Sequence, residues 1–289
     1  MKNIFLTILF TLFILPIYGQ DASGEKDLDN KNQTSIVKHP ILTDKFLIGM
    51  GLFSPFNKVV LGAKGELDTD NPNDIRFDER FQLDGVQSSF TLNFNWRFSK
   101  NYSVSAEYFS INTSKTVTLD ETVEWNDKTY EVGAEVTGGY KFALYRIFFG
   151  RVISRGDKHE FGGGLGFHTV SVNGYIEGEA TVNGDSASFS RNSASVTLPL
   201  PNIGIWYIWA PVEKWAFTGR VDWFGISISN FSGKLWGLTP GVNYQAFKNI
   251  GLSVEYRYLS LKADVDKDSW KGNFAMDFYG PSFKVTANF

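Results

Sequence analysis

The sequence predicts an all-β fold, a transmembrane antiparallel up-and-down β-barrel of ten strands, and three observations support this prediction. An apolar N-terminal segment typical of secretion precedes the main part of the chain. Apolar and polar residues then alternate with a period of two along most of the remaining sequence. Short connections between the predicted strands alternate with long ones, as expected for strands that run up and down through a membrane.

The N-terminal segment has the features of a secretory signal peptide. Lys2 supplies positive charge, residues 4–17 form an apolar run without an acidic residue, and Gly19 is a small residue at the predicted cleavage site. Residues 1–19 are therefore predicted to be removed. Residues 20–44 are polar and predict a flexible periplasmic lead-in, and residues 45–289 are predicted to form the barrel.

Composition excludes several functions. The net charge of −3 and the lack of a basic tail argue against a nucleic-acid partner. The chain has no cysteine, which excludes disulfides, thiolate metal sites, a cysteine nucleophile and a lipidated N-terminal cysteine. The 26 Phe, 12 Tyr and 8 Trp residues do not form a second run of the length that a spanning helix needs. These aromatic residues are therefore predicted to lie on strands.

The alternation is clearest in residues 88–98. From residue 90 onward the even positions are apolar and the odd positions are polar, as in Phe90, Phe94 and Trp96 against Thr91 and Asn93. A soluble β-sandwich would bury the apolar face in its core, whereas a membrane barrel turns it toward lipid and lines its lumen with the polar face. The alternation alone does not choose between these folds, so the sandwich stays open as the competing fold.

Ten segments are predicted to be strands on this pattern. They are residues 46–53, 86–98, 102–112, 139–152, 160–172, 195–208, 215–229, 234–245, 251–262 and 273–289. Eight strands follow if two of these segments do not pair, and twelve follow if residues 58–65 and 116–124 are separate strands. Any even number places both termini on one side of the membrane, which the short connections predict to be the periplasm.

Particular stretches of the chain resemble known proteins. The terminal Phe289 resembles the C-terminal signal that outer-membrane barrels present to the barrel-assembly machinery. The pieces NWRFSKNYSVSAEYF (95–109), PLPNIG (199–204) and FYGPSF (278–283) resemble a family of small outer-membrane barrels without an assigned activity, and Gln20 after Gly19 is similar to secreted proteins of Bacteroidetes. The resemblance covers residues 46–289. It implies a monomer integral in the outer membrane of a Gram-negative cell, with lipid, lipopolysaccharide and the assembly machinery as partners.

A lumen charge network is the candidate site. Eight charged residues share the polar face of the predicted strands: Arg97, Glu107, Arg146, Arg220, Asp222, Glu255, Arg257 and Lys284. Their side chains are long enough to meet across a ten-stranded lumen. We expect a salt-bridged plug that satisfies its own charges and leaves little continuous water. A narrow, mildly anion-preferring pore is the alternative, whereas a wide porin needs about sixteen strands.

Glycines and aromatic residues on the strands have structural interpretations. The even-numbered glycines Gly162, Gly164 and Gly166 are predicted to leave inward space beside bulky lumen side chains. Aromatic residues near predicted strand ends, among them Tyr140 and Trp206, are predicted to form girdles at the membrane interfaces.

The function expected from the sequence is an integral barrel with a charge-plugged lumen, which stabilises the envelope or acts through its outer loops. A narrow channel or conduit for small solutes or apolar molecules is an alternative, in which Pro199 and Pro201 mark a weak seam. A lipid-modifying enzyme that uses His168 is a further alternative. Because the motifs of known outer-membrane enzymes are missing, we expect that the protein is not an enzyme and that it has no cofactor and no metal site.

Overall fold

The computed structural model describes residues 38–62, 74–76, 83, 88–125, 128–180, 188–228, 231–267 and 270–289. The predicted signal peptide, residues 1–19, and the lead-in as far as residue 37 lie outside these residues.

The described elements are α1 (Pro40–Thr43), β1 (Phe46–Phe53), β2 (Phe56–Gly62), β3 (Asp74–Arg76), β4 (Ser89–Arg97), β5 (Tyr102–Thr118), β6 (Val123–Trp125), β7 (Lys128–Tyr130), β8 (Glu135–Arg155), β9 (His159–Ala180), β10 (Ser188–Val212), β11 (Trp215–Ile228), β12 (Phe231–Gln245), β13 (Ile250–Lys267) and β14 (Trp270–Asn288). Among the described residues, no helix has the length and apolar character to cross a membrane.

Ten of these strands form a closed antiparallel barrel. They follow one another around the barrel in the order β1, β4, β5 and β8 to β14, and β1 pairs with β14 to close it, with Met50 opposite Val285. Closure pairs the backbone of each barrel strand on both sides, which is the condition for strands to cross a lipid bilayer. The predicted ten-stranded up-and-down barrel is confirmed.

The remaining strands add no spanning element. Strand β2 follows β1 after Ser54 and Pro55 and pairs with residues 273–279 of β14. On its other edge β2 pairs with β3. Pro55 has no backbone N–H to donate, which accounts for the break between β1 and β2. Strands β6 and β7 form a separate hairpin. The alternatives of eight and twelve barrel strands are therefore wrong.

The two ends of the barrel differ. At one end, which we call the turn end, short connections lie beside both Phe46 and Phe289, and backbone bonds link Val152 to Asn101 and Asn288 to Asn249. The opposite end, which we call the loop end, carries the longest connections, from β1 to β4 and from β5 to β8, although only two residues separate β11 from β12 and β13 from β14. The strands extend further toward the loop end than the sequence predicted, since residues 160–172 are only part of β9.

The outward face of the barrel is apolar. Phe90, Leu252 and Phe283 are each about half exposed, at 52%, 50% and 53%. Two aromatic residues predicted for the interfacial girdles point inward instead, because Tyr140 shares the even register of Arg146 on β8 and Trp206 shares the even register of Asn202 on β10. A one-residue difference in register decides which face a strand side chain occupies.

The half of the interior nearer the loop end is a hydrophobic core that the sequence analysis missed. Its buried side chains include Phe53, Phe109, Tyr140, Phe142, Leu200, Leu235, Leu261 and Phe278. The β6–β7 hairpin adds Trp125 and Tyr130 to this core, and the Tyr130 hydroxyl donates to the carbonyl of Ile176 at 3.2 Å. The predicted polar lumen therefore applies only to the half nearer the turn end.

The end of the predicted lead-in is part of the barrel structure. Helix α1 packs Leu42 against Ala210 and Ala216 at the turn end. Arg97 Nη2 donates to the carbonyl of Ile41 at 2.9 Å, and Asn288 Nδ2 donates to Asp44 Oδ2 at 2.7 Å. The end of the lead-in that the sequence predicted to be flexible (20–44) therefore contacts the barrel through residues 41–44.

Candidate functional site

Seven of the eight predicted charged residues lie in one layer of the interior, between the hydrophobic core and the turn end. The strands place them there because each occupies an inward register position on β5, β8, β11, β13 or β14. We call this set the charge layer: Glu107, Arg146, Arg220, Asp222, Glu255, Arg257 and Lys284. The eighth residue, Arg97, belongs to a separate group nearer the turn end.

Asp222 is the centre of one half of the charge layer. Its Oδ1 accepts from Arg146 Nη2 at 2.8 Å and from Asn202 Nδ2 at 2.7 Å, and its Oδ2 lies 3.0 Å from Arg220 Nε. A buried carboxylate is tolerated when it has several such donors. Asn202 was not among the predicted site residues, although its position in the same register as Gly204 and Trp206 indicated that it points inward.

Glu107 is the centre of the other half. Its Oε2 lies 2.8 Å from Arg220 Nη2, and its Oε1 forms an ion pair with Arg257. Arg220 therefore bridges Glu107 and Asp222, so that four strands, β5, β8, β11 and β13, are joined through the lumen. Lys284 completes the layer by pairing with Glu255 at 2.6 Å.

The charge layer is more accessible from one side than from the other. The side chains of Glu107, Arg146 and Arg257 are at most 4% exposed, whereas that of Arg220 is 27% exposed. Arg220 lines a cavity on the turn-end side of the layer. Arg220 is thus the part of these ion pairs that is most exposed to the cavity.

Arg97 forms an ion-pair group of its own near the turn end. Its Nη1 lies 2.5 Å from Glu160 Oε2, which also accepts from Arg155 Nη2 at 2.7 Å. Glu160 Oε1 accepts from Trp206 Nε1 at 3.1 Å. Glu160 was not predicted as a site residue, although its even number on β9 gives it the same inward register as Gly162.

The cavity lies between the charge layer and helix α1. It has a volume of about 210 Å³, and its walls include Ile41, Phe148, Trp206 and Asn243. A second space of about 20 Å³ lies on the other side of Arg220, between the charge layer and the hydrophobic core. Its size is enough for about one water molecule, since a water needs roughly 10–15 Å³ of this measure.

The inward glycines make room for the large side chains around the cavity. A Cβ atom at Gly162 would overlap the indole of Trp206, and one at Gly150 would lie 2.7 Å from the same ring. A Cβ at Gly166 would lie 2.6 Å from the ring of Phe148. The prediction that these glycines leave space for bulky lumen side chains is confirmed for Gly162 and Gly166.

His168 lies inside the barrel and not on its surface. It is 3% exposed and lines the smaller space together with Asp222 and Glu107. A reaction at His168 would therefore require a substrate to enter the interior. Within the described part of the chain, no group of three or more His, Asp or Glu residues is arranged to hold a metal ion.

The closed ring of strands, the apolar outer face and the ion-paired interior define the class: the chain has the fold of the outer-membrane β-barrel proteins. The fold is similar to that of the outer-membrane protease OmpT from Escherichia coli, with a TM-score of 0.52 and 10% identity over 85% of this chain and 97% of that chain. Weaker matches include the toluene transporter TodX of Pseudomonas putida (TM-score 0.35, 8% identity, 88% and 93% coverage) and the attachment invasion locus protein Ail of Yersinia pestis (TM-score 0.30, 11% identity, 83% and 98% coverage). No protein-family model and no curated protein matches the sequence.

The comparison with OmpT corrects one expectation. We expected from the missing catalytic motifs that the protein is not an enzyme, and that expectation is wrong, since a barrel that matches over 97% of its length is a protease. A ten-stranded barrel of this fold is therefore compatible with enzymatic activity. At 10% identity the likeness shows the fold alone and assigns no activity to this chain.

Proposed function

We propose that the protein is an integral outer-membrane β-barrel with a closed, non-conducting lumen, which acts through the structures at its loop end. The observation that carries the proposal is that two successive layers fill the interior. An ion that passed the barrel would have to cross both the charge layer and the hydrophobic core. In that core, the rings of Phe142 and Phe278 lie 4.5 Å apart, centroid to centroid.

The charge layer supports a closed lumen for an energetic reason. Removing a charge from water costs several kcal/mol, and close pairing offsets much of that cost. An ion that entered the layer would have to displace a partner from pairs such as Arg146–Asp222 or Lys284–Glu255, at 2.8 Å and 2.6 Å. The Arg146–Asp222 pair is buried, and Lys284 is buried beside the partly exposed Glu255, so displacement would leave a buried charge without a partner.

The proposal includes a location, an orientation and partners. The short connections at the turn end favour placing that end, with both termini, in the periplasm, and the outward apolar side chains would contact lipid and lipopolysaccharide. The proposed contact with the assembly machinery is through strand β14 and Phe289, which follows it and whose ring lies 5.8 Å from that of Phe46. Origin in Bacteroidetes, membership in a small-barrel family and a monomeric state are parts of the proposal that rest on the sequence.

The test is planar-bilayer conductance of the refolded protein. A heat-modifiability gel first establishes that the barrel has formed, and a conducting porin in the same lipid serves as the positive control. We expect no discrete steps from the folded barrel. Stable steps whose size changes in Arg220→Gln or Glu255→Gln would overturn the closed-lumen proposal.

One observation favours a second candidate, a lateral conduit for apolar molecules. The ladder between β10 and β11 ends at the pair Ile203–Trp223, although β10 begins at Ser188. The part of β10 nearer the loop end therefore pairs with β9 alone among the described strands. Pro199 and Pro201 lie in this part and have no N–H to donate. On the loop-end side of Ile203, the contact between β10 and β11 therefore lacks backbone hydrogen bonds and is weaker.

A cross-link between β10 and β11 tests the conduit. If the pairing of β10 with β11 continued beyond Ile203–Trp223 in the same register, position 201 would face position 225. A conduit predicts that intact cells producing the protein take up an apolar fluorescent dye faster than cells carrying an empty vector. It also predicts that an oxidised Pro201→Cys/Gly225→Cys pair removes the increase and that reduction restores it. Equal dye uptake with and without the protein would exclude the conduit.

A further inference from the structure

The cavity at the turn end has the features of a ligand site. It is bounded by the charge layer on one side and by Pro40, Ile41 and Asp44 on the other. A volume of about 210 Å³ is many times the roughly 10–15 Å³ that one water needs in this measure, so the cavity has room for several waters. A solute of monosaccharide size matches this volume, whereas a drug-sized ligand needs about 300 Å³ or more.

The charged groups of the cavity wall compensate one another. The wall contains four cationic residues, Arg97, Arg146, Arg220 and Lys284, and four acidic residues, Asp44, Glu107, Glu160 and Glu255. Each of the four cations has a carboxylate partner at 2.5–2.8 Å. A charged ligand would have to compete with these pairs, whereas an uncharged ligand would leave them intact.

The rest of the polar wall consists of amides and hydroxyls. It includes Asn93, Asn95, Ser103, Thr218, Asn243 and Ser253. An amide side chain offers two donors and an acceptor, and a hydroxyl is both a donor and an acceptor. Groups of this kind hydrogen-bond to the hydroxyls of a solute in either direction, so the wall suits a ligand that carries several hydroxyls.

Trp206 supplies an apolar surface beside these polar groups. Its indole lies against the glycines Gly150 and Gly162, where a Cβ atom would meet ring atoms of Trp206. Phe148 packs on it at an interplanar angle of 84°. Because Trp206 also lines the cavity, part of its ring borders the space that a ligand would occupy, where it can contact the C–H groups of that ligand.

We propose that this cavity binds a small, uncharged, polyhydroxylated solute, a monosaccharide or a cyclic polyol, with Trp206 as the stacking surface. The ligand enters from the turn end, where Pro40, Ile41 and Asp44 border the cavity. This inference goes beyond the closed-lumen proposal and does not depend on it, because binding and conductance are separate measurements.

A matched set of solutes tests the proposal. D-glucose, glucuronate and glucosamine are pyranoses of similar size that differ in charge, and galactose, mannose and myo-inositol extend the neutral class. Isothermal titration of the refolded full chain should show saturable binding of at least one neutral member. It should also show at least tenfold weaker binding of glucuronate and glucosamine. Tighter binding of a charged member, or no saturable binding of any neutral member, would overturn the proposal.

Two substitutions on one strand test whether the binding site lies inside the cavity. Ser103→Phe adds a ring inside the cavity, and Val104→Phe adds the same ring on the opposite face of β5. Binding should weaken at least tenfold in Ser103→Phe and stay unchanged in Val104→Phe, with both variants folded on the heat-modifiability gel.

A third variant covers the case in which Ser103→Phe does not fold. Trp206→Leu removes the stacking surface and should weaken binding at least tenfold, while Trp206→Phe keeps a ring and should lose less. Unchanged binding in a folded Ser103→Phe or Trp206→Leu variant would contradict the assignment of the site.

Discussion

Arg146 Nη2 and Asp222 Oδ1 lie 2.8 Å apart, although their strands, β8 and β11, are not neighbours in the barrel. Strands β9 and β10 separate them, so the ion pair crosses the interior and is not a contact along one sheet face. Both side chains are at most 5% exposed. Contacts of this kind hold the wall together from inside, in addition to the backbone ladders.

Asp222→Asn should destabilise the barrel by about 3–5 kcal/mol, because it leaves Arg146 without a charged partner in a buried layer and removes one of the two carboxylates paired with Arg220. Guanidinium unfolding of the refolded protein, followed by tryptophan fluorescence in detergent, measures the change. The control is Asp157→Asn, which removes the exposed ion pair with Lys38. Surface pairs contribute little, so a loss as large in the control as in Asp222→Asn would contradict the prediction.

Phe142→Ala should cost about 3–5 kcal/mol, because Phe142 is 1% exposed within the hydrophobic core of the lumen. The control is Phe149→Ala on the same strand, where the ring is 39% exposed on the outer face. The control should lose less than half as much, since detergent or lipid can fill the space that its ring leaves. The same unfolding measurement compares the two variants, and equal losses would show that the interior is not a packed core.

Gly162→Ala should destabilise the barrel by about 1–3 kcal/mol, because the added methyl group would overlap the indole of Trp206. Gly219→Ala is the matched control, since a Cβ there meets no heavy atom within 4 Å. The control should be neutral or slightly stabilising, as the unfolded chain loses conformational freedom. A neutral result for Gly162→Ala would mean that Trp206 does not lie against this strand.

Docking of α1 should weaken as the pH falls. Burial lowers the pKa of His39 from 6.5 to about 4, against a smaller opposing effect of the Asp44 carboxylate. In the undocked segment, His39 therefore binds a proton below about pH 6.5. In the docked segment, His39 binds that proton only near pH 4. The stability of docking is complete above pH 6.5 and is lost progressively between pH 6.5 and 4.

Hydrogen exchange of the amides of residues 41–44 measures this effect, after correction for the intrinsic pH dependence of exchange. Protection should be lower at pH 5 than at pH 7.5. In His39→Asn the difference should disappear, because asparagine keeps an acceptor for the backbone N–H of Ile41 and does not titrate. A pH dependence that persists in this variant would assign the effect to another group.

Much of the fold could be predicted because strand periodicity is a local property. The alternation in residues 88–98 identified the outward face of β4, on which Phe90 is 52% exposed. Strand ends were harder to predict: β9 extends to Ala180, beyond the predicted end at residue 172. The residues beyond 172 belong to a part of the barrel whose interior is apolar, where the contrast between the two faces is weaker.

The candidate site could be predicted only in part. The inward register of Arg146, Arg220 and Asp222 followed from counting along each strand. The partner of Arg97 did not follow, because Glu160 is 63 residues away in the chain and reaches it only through the tilt and stagger of the barrel.

By itself, the sequence predicted a ten-stranded barrel, the outward face of strands such as β4 and most of the charged residues directed inward, because a period of two depends only on neighbouring residues. The tertiary structure alone decided which charges pair, that Phe142 and Phe278 form a core inside the lumen, and that α1 bounds a cavity at the turn end. Those features depend on the stagger between strands distant in the chain. That stagger determines which inward residues lie at the same height in the barrel.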